Sequence, residues 1–501
     1  MFMTEAAITS VFPKENKLCF YNESVPVTRI SEISPIENQV VNLYPGFAYQ
    51  KIIGFGGAMT ESAAYSLSLL PEDLRREALQ AYFGEDGNGY TLLRTHIDSC
   101  DFALGMYQAV DDSDPELASF SLNRDRQYIL PALKAAIATT DKPVSVLLTP
   151  WSPPAQWKTQ PSILKTLQSP EDLQKLLPPE LSAAQLETAH PILHALYSML
   201  KASMESGEGI RTCGGHLKPE YYASWAKYLV KYVQAYIAEG IPVRWLSIQN
   251  EAQAATPWDS CQWTAQEEKT FLREYLYPAM DKAGLTGQVG ILFWDHNKEN
   301  LVDRTVEMLD AQTRGMVAGA AFHWYSGDHF DAVRMVHERF PELQLVFSES
   351  SCPFAPSGSE EELRQGVRYA HDMIENLNNG LDAWFDWNLY LDEHGGPNHV
   401  QNFCSAPIML DGQGGYEKRT SYHYIRQITQ HVQPGAVRIG TTKYTPDLDV
   451  TAFQNPDHEL VAVLLNRGGE ELEINLRLDG TVCKFAVPSQ GILTVKIPPL
   501  E

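Results

Sequence analysis

The chain has 501 residues, 44% of them hydrophobic and 20% charged, enough to bury a large core and to divide into two domains. Its formal net charge of −24, from 39 Lys and Arg against 63 Asp and Glu, argues against nucleic acid as a partner. Seven cysteines, odd in number and widely spaced, do not read as a disulfide framework, and no apolar run is long enough to span a bilayer.

The first residues, Met1-Phe2-Met3-Thr4-Glu5, bring an acidic side chain early and no apolar segment of signal-peptide length, so a cytoplasmic protein is expected. Residues 1–48 alternate short apolar stretches with Pro, Asn and Ser, and read as strands contributing to a β-sandwich. Over 49–432 the pattern becomes strand, polar loop, helix, repeated. Strands are predicted at 52–58, 91–97, 144–151, 243–251, 289–295, 319–325, 343–349 and 381–389. Most end in polar or aromatic residues. Glu61 follows the first, and Arg94 lies inside the second with Asp98-Ser99-Cys100-Asp101 beyond it. Trp151 closes the third, Asn250 and Glu251 the fourth, His323-Trp324-Tyr325 the sixth and Glu349 the seventh, while the eighth carries Asp386-Trp387-Asn388.

Among the helices, 219–239 has Trp225, Leu229, Tyr232, Val233 and Tyr236 at helical spacing and stops at Gly240. Thr264-Ala265-Gln266-Glu267 is a capping box that opens the helix after the fourth strand. A helical insertion is expected at about 160–213, with Ser169 as N-cap and Leu193, Leu196, Tyr197 and Leu200 on one face. That stripe needs cover, either from the barrel, where it would wall the cleft, or from a second copy of the chain in a homo-oligomer. Over 433–501 the helices stop, and turn signals such as Asn466-Arg467-Gly468-Gly469 and Asp479-Gly480 recur at sandwich-like intervals. The expected fold is therefore α/β: a (β/α)8 TIM barrel with a β-sandwich side domain formed from both chain ends.

A core strand has no structural use for an amide and a carboxylate at its end, and burying the amide unpaired costs roughly 2–7 kcal/mol. Asn250 and Glu251 are therefore expected to face a cleft, and Glu349 ends a second strand of the same design. Two such glutamates fit the pair of a retaining glycosidase, which sit about 5–5.5 Å apart across the scissile bond. Glu251 is then the acid/base, its pKa raised by burial or by its charged partner, and Glu349 the nucleophile. Asn250 is placed to hydrogen-bond the sugar's 2-hydroxyl. No metal-binding or nucleotide-binding motif is present, so no metal and no cofactor are expected. Taken singly, Trp151, Trp324 and Trp387 read as core aromatics, His323 as a hydrogen-bonded core histidine and Glu61 as a helix N-terminal charge.

The sequence resembles glycoside hydrolase family 30, the glucosylceramidase family, over about residues 48–440. The resemblance lies in Gly54-Phe55-Gly56-Gly57-Ala58-Met59-Thr60, Ser99-Cys100-Asp101-Phe102, and Pro150-Trp151-Ser152-Pro153-Pro154 with Trp157-Lys158-Thr159. It continues in Gln249-Asn250-Glu251, His323-Trp324-Tyr325, Ser348-Glu349, Asp386-Trp387-Asn388, and Gly395-Gly396-Pro397-Asn398 with Asn402. It implies Glu251 as acid/base, Glu349 as nucleophile and Tyr325 beside it, with Asn250 on the 2-hydroxyl. It further implies that Glu61, Trp151, Trp387 and Asn402 line the terminal sugar subsite, and that Arg94 holds the nucleophile, supported by His323.

Three features depart from the family pattern: Glu61 in place of Asp, Ala252 in place of Pro after Asn-Glu, and the long insertion. The implied substrate is a β-glycoside with a terminal sugar, glucose foremost. Alternatives are a β-1,6-glucanase, a β-xylosidase or a β-fucosidase, and, in a different class, a sugar-binding pseudoenzyme.

Overall fold

The computed structural model describes residues 5–15, 17–30, 36–159, 212–256 and 258–499. The insertion expected at about 160–213 lies outside the described residues, apart from Thr212 and Cys213. Eight parallel strands close into a barrel: Gly54–Ala58 (β1), Leu92–Ile97 (β2), Ser145–Pro150 (β3), Val243–Ser247 (β4), Gly290–Asn297 (β5), Gly319–His323 (β6), Gln344–Glu349 (β7) and Ala383–Asn388 (β8). Sequential strands are neighbours, and β8 pairs with β1 to shut the ring.

Alternation along the strands divides the barrel interior into layers. One layer is apolar, formed by Leu92, Leu147, Trp245, Leu292, Ala321, Val346, Ala383 and Phe385. Two residues further along, the same strands present Arg94, Thr149, His323, Ser348 and Trp387, all buried. The chemistry thus stands on an apolar plug, at the carboxyl ends of the strands. Close strand approach at β1 requires glycine: a Cβ on Gly56 would lie 1.9 Å from the Leu92 carbonyl oxygen.

Two strands differ from expectation at their ends. β4 stops at Ser247, so Asn250 and Glu251 stand on the turn beyond it. Their amides are secured elsewhere, Asn250 N–H donating to the Pro150 carbonyl (2.9 Å) and Glu251 N–H to that of Asp295 (2.7 Å). β5 runs on to Asn297 through two residues with positive φ, Trp294 (73°) and Asp295 (46°), and its register with β6 shifts there. This bulge breaks simple alternation and turns Asp295 inward.

The helix predicted at 219–239 begins as a single 3-10 turn, Pro219–Tyr221, before the α-helix Tyr222–Ala238. The capping box at Thr264 is formed, with both reciprocal bonds present. Both chain ends enter one ten-stranded sheet, in the order Lys17–Pro26, Glu5–Lys14, Ile492–Ile497, Leu460–Asn466, Leu448–Gln454, Val437–Thr442, Val40–Lys51, Leu472–Leu478, Thr481–Val487 and Thr28–Arg29. The sheet encloses its own core, including Ile8, Val41, Leu43, Val450, Leu464, Leu476 and Val495. Against the barrel it is fastened through helix Thr420–Thr429, where Thr494 Oγ1 donates to the Gln427 carbonyl (2.6 Å).

Candidate active site

Arg94, fully buried on β2, is the centre of the site. It donates to Glu349 Oε2 (2.6 Å), Asn250 Oδ1 (2.7 Å), Asp295 Oδ2 (3.2 Å) and Thr149 Oγ1 (3.3 Å). Burial alone would weaken its charge, but Asp295 and Glu349 outweigh that effect and hold the guanidinium cationic. Because an arginine only donates, Asn250 turns its oxygen to Arg94 and leaves its NH2 to donate toward the cleft. Trp151 and Trp387 stack on each other (5.3 Å between ring centres, 21°), with the guanidinium 5.0 and 5.2 Å from their ring centres.

Glu349 is held from two sides, by Arg94 on Oε2 and by the Tyr325 hydroxyl on Oε1 (2.9 Å). A carboxylate fixed in this way keeps one orientation. Tyr325 itself is 40% exposed, its ring forming part of the rim. Glu251, on its positive-φ turn, points Oε1 at His296 Nδ1 (3.4 Å) and His323 Nδ1 (3.5 Å). Glu251 does not show the shift expected from burial or from its charged partner. Burial does push it upward, but the two histidines outweigh that push and hold the carboxyl below the usual range. Conversely His323 is pushed up to about 9, burial opposing, because Glu349, Asp295 and Glu251 all favour its cation. One proton therefore rests on the histidine side of the Glu251–His323 pair.

Asp295 links these groups. It accepts from Arg94, from Ser348 Oγ (2.5 Å) and from His323 Nε2 (3.1 Å), and it is held below the usual carboxylate range despite its burial. On the opposite wall, Asn402 Nδ2 donates to Asp101 Oδ2 (3.0 Å). Burial and the charge of Glu349 raise the Asp101 carboxyl to about 7.

Of the residues expected from sequence, the structure brings together Arg94, Asn250, Glu251, His323, Tyr325, Glu349, Trp151 and Trp387. Asn402 joins them through Asp101. Glu61 stands behind them. It opens helix Glu61–Leu69 and is fully buried, with Oε1 2.5 Å from Arg124 Nε and Oε2 accepting from Leu104 N–H (2.8 Å). Both oxygens meet the loop after β2, so Glu61 braces the segment that carries Asp101. Sequence reasoning gave Asp101 no role and passed over Asp295 and His296. For Asp101 the signal was its place just past a strand end; for the other two the bulge hid the inward direction.

Two family models match this chain. The glycosyl hydrolase family 30 TIM-barrel domain matches residues 52–172 and 169–430, and the family 30 beta sandwich domain matches 435–495. The chain belongs to glycoside hydrolase family 30. Among family relatives, it is 26% identical over 458 residues to the lysosomal acid glucosylceramidase of Mus musculus, covering 87% of this chain and 79% of the relative. The solved structure of SrfJ from Salmonella typhimurium is 30% identical and superposes with a TM-score of 0.85, over 99% of this chain and 100% of the other. A solved endo-β1,6-glucanase is 25% identical with a TM-score of 0.78, again over 99% and 100%. This family 30 chain is thus a glycosyl hydrolase acting on a carbohydrate substrate, and no described helix is long and apolar enough to cross a membrane.

Proposed function

We propose that this enzyme is a retaining β-glycosidase that removes a terminal β-linked sugar, glucose foremost, with Glu349 as nucleophile and Glu251 as acid/base. The observation that carries this reading is the two-sided clamp on Glu349, with Arg94 and Tyr325 fixing its two oxygens, facing the separate histidine-bound Glu251. In the first step Glu349 attacks the anomeric carbon. The aglycone oxygen, arriving at Glu251, draws the shared proton across from His323. Once Glu349 is glycosylated its charge is gone, and with it the largest support for a cationic His323. The pair then stands proton-poor, ready to take a proton from the attacking water. Asn250 donates to the 2-hydroxyl, Trp151 and Trp387 wall the terminal subsite, and Asp101 with Asn402 accepts and donates at its far side.

Glu349→Ala should abolish turnover and partly recover with azide, releasing an inverted glycosyl azide. Glu251→Ala should still be glycosylated by substrates with activated leaving groups, then turn over slowly. Proton NMR showing the inverted anomer as first product of the wild type would reject the mechanism. The likeness to an endo-β1,6-glucanase supports a second substrate reading, β-1,6-linked glucan. A panel of aryl β-glucosides, glucosylceramide and gentio-oligosaccharides separates the two.

A further inference from the structure

Glu251, His296 and His323 offer one ligand atom each, and the three atoms lie within 4.8 Å of one another. Among the described residues no other trio of such side chains does so. Glu251 Oε1 is the one group both Nδ1 atoms face, at 3.4 and 3.5 Å, and neither makes a hydrogen bond elsewhere, His323 being fully buried. From these contacts we propose that the three side chains form a site for a single zinc ion, which stops turnover by taking the lone pair of Glu251. That inhibitory effect rests on the acid/base reading above; the binding itself does not.

Two of the three spacings fit zinc. Zn–N and Zn–O bonds of about 2.0–2.1 Å in a tetrahedron put neighbouring ligand atoms roughly 3.3–3.4 Å apart. The observed separations from Glu251 Oε1 are 3.4 Å to His296 and 3.5 Å to His323. An octahedral ion with bonds near 2.1 Å would need edges of about 3.0 Å, so a six-coordinate ion fits less well. The remaining edge, between the two ring nitrogens, lies within 4.8 Å and shortens on binding. Outer support is present on one ligand. His323 Nε2 is bonded to Asp295 (3.1 Å), itself fixed by Ser348 and Arg94, the carboxylate–histidine arrangement that orients a metal-bound imidazole. The side chains of Glu251 and His296 keep 15% and 12% exposure, leaving the fourth position to water from the cleft. Zinc would replace the proton that the pair otherwise shares, because ligand histidines bind as neutral rings.

The test is calorimetric titration of the full-length chain with zinc chloride, for wild type, Glu251→Gln, His296→Asn and Asp295→Asn, with cobalt(II) absorption as a report of four-coordinate geometry. One zinc per chain is expected in wild type, together with tetrahedral cobalt bands. Affinity should fall at least tenfold in Glu251→Gln and His296→Asn, and by roughly ten- to a hundredfold in Asp295→Asn, which keeps all three ligands. Zinc should inhibit wild-type hydrolysis with the same midpoint as binding. No binding at millimolar zinc, or equal binding in all four proteins, overturns the site. Stoichiometric binding without inhibition leaves the site standing and overturns the acid/base role of Glu251.

Discussion

At the scale of single residues, the site is governed by which carboxylates are already committed. Glu61 and Asp101 lie on one loop system but differ in use: the first is tied to Arg124 and Leu104 N–H, the second shares only Asn402. Asp101→Asn should therefore lower kcat/KM on aryl glucosides by roughly ten- to a hundredfold, the loss of a charged hydrogen bond worth about 1.5–3 kcal/mol. Glu61→Gln should instead lower thermal stability, by about 1–2 kcal/mol given that Arg124 is a third exposed, while glucosides and xylosides lose activity in equal proportion. Differential scanning calorimetry beside a two-substrate assay checks both. A second prediction concerns pH. His323 is raised to about 9, so the proton it shares is present below that pH and lost above it, and the alkaline limb of kcat/KM should fall as pH rises through about 9. In His323→Gln the limb should move to lower pH, because Glu251 must then hold the proton without a cationic reservoir. An alkaline limb unmoved by that substitution would remove His323 from the proton path. Glu251 and Glu349 stand out in sequence because a charge ending an apolar strand is too costly to bury without a partner or a use, whereas the place of Arg94 comes from the family resemblance. The Glu61 contacts were not legible, because proximity to a strand end does not reveal which loop will meet the carboxylate.

At the scale of elements, strand period carried most of the reading and irregular backbone defeated it. The alternation that stacks Leu92 under Arg94, and Val346 under Ser348, is visible as letters two apart. Past the positive-φ pair Trp294 and Asp295 the period no longer says which side chain faces in, so Asp295 and His296 went unassigned. The strand Val40–Lys51 runs past the boundary expected at residue 48 and through Pro45 and Gly46, pairing with Val437–Thr442 on one side and Leu472–Leu478 on the other. Close packing yields a prediction here. Gly56→Ala puts a methyl 1.9 Å from a backbone oxygen that cannot move without breaking β1 from β2. It should destabilise by more than the usual roughly 1–3 kcal/mol of an overpacked core, appearing as a large drop in Tm or as insoluble protein. Gly315→Ala, which meets nothing within 4 Å, is the control and should be close to neutral.

At the scale of the whole molecule, the barrel and the sheet are separate cores built by one interleaved chain. Cutting at about residue 435 would strip Glu5–Lys14 of Ile492–Ile497 and Val40–Lys51 of Val437–Thr442, exposing Ile8, Val41 and Leu43. Such a fragment should aggregate on expression even though the whole barrel sequence is retained, as size-exclusion chromatography would show. The pairing of Ala7 with Lys496 also has a bearing on synthesis and rewiring. The strand Glu5–Lys14 is made long before its neighbour Ile492–Ile497, so the sheet cannot close vectorially on the ribosome, and its early edges must be shielded meanwhile. The same adjacency brings residues 7 and 496 side by side, so a short tether can weld the two ends into a continuous loop. A circular permutant opened in an exposed turn such as Asp479-Gly480 would make Ile492–Ile497 just before Glu5–Lys14, its partner in the sheet, and should reach the native state faster than the natural order.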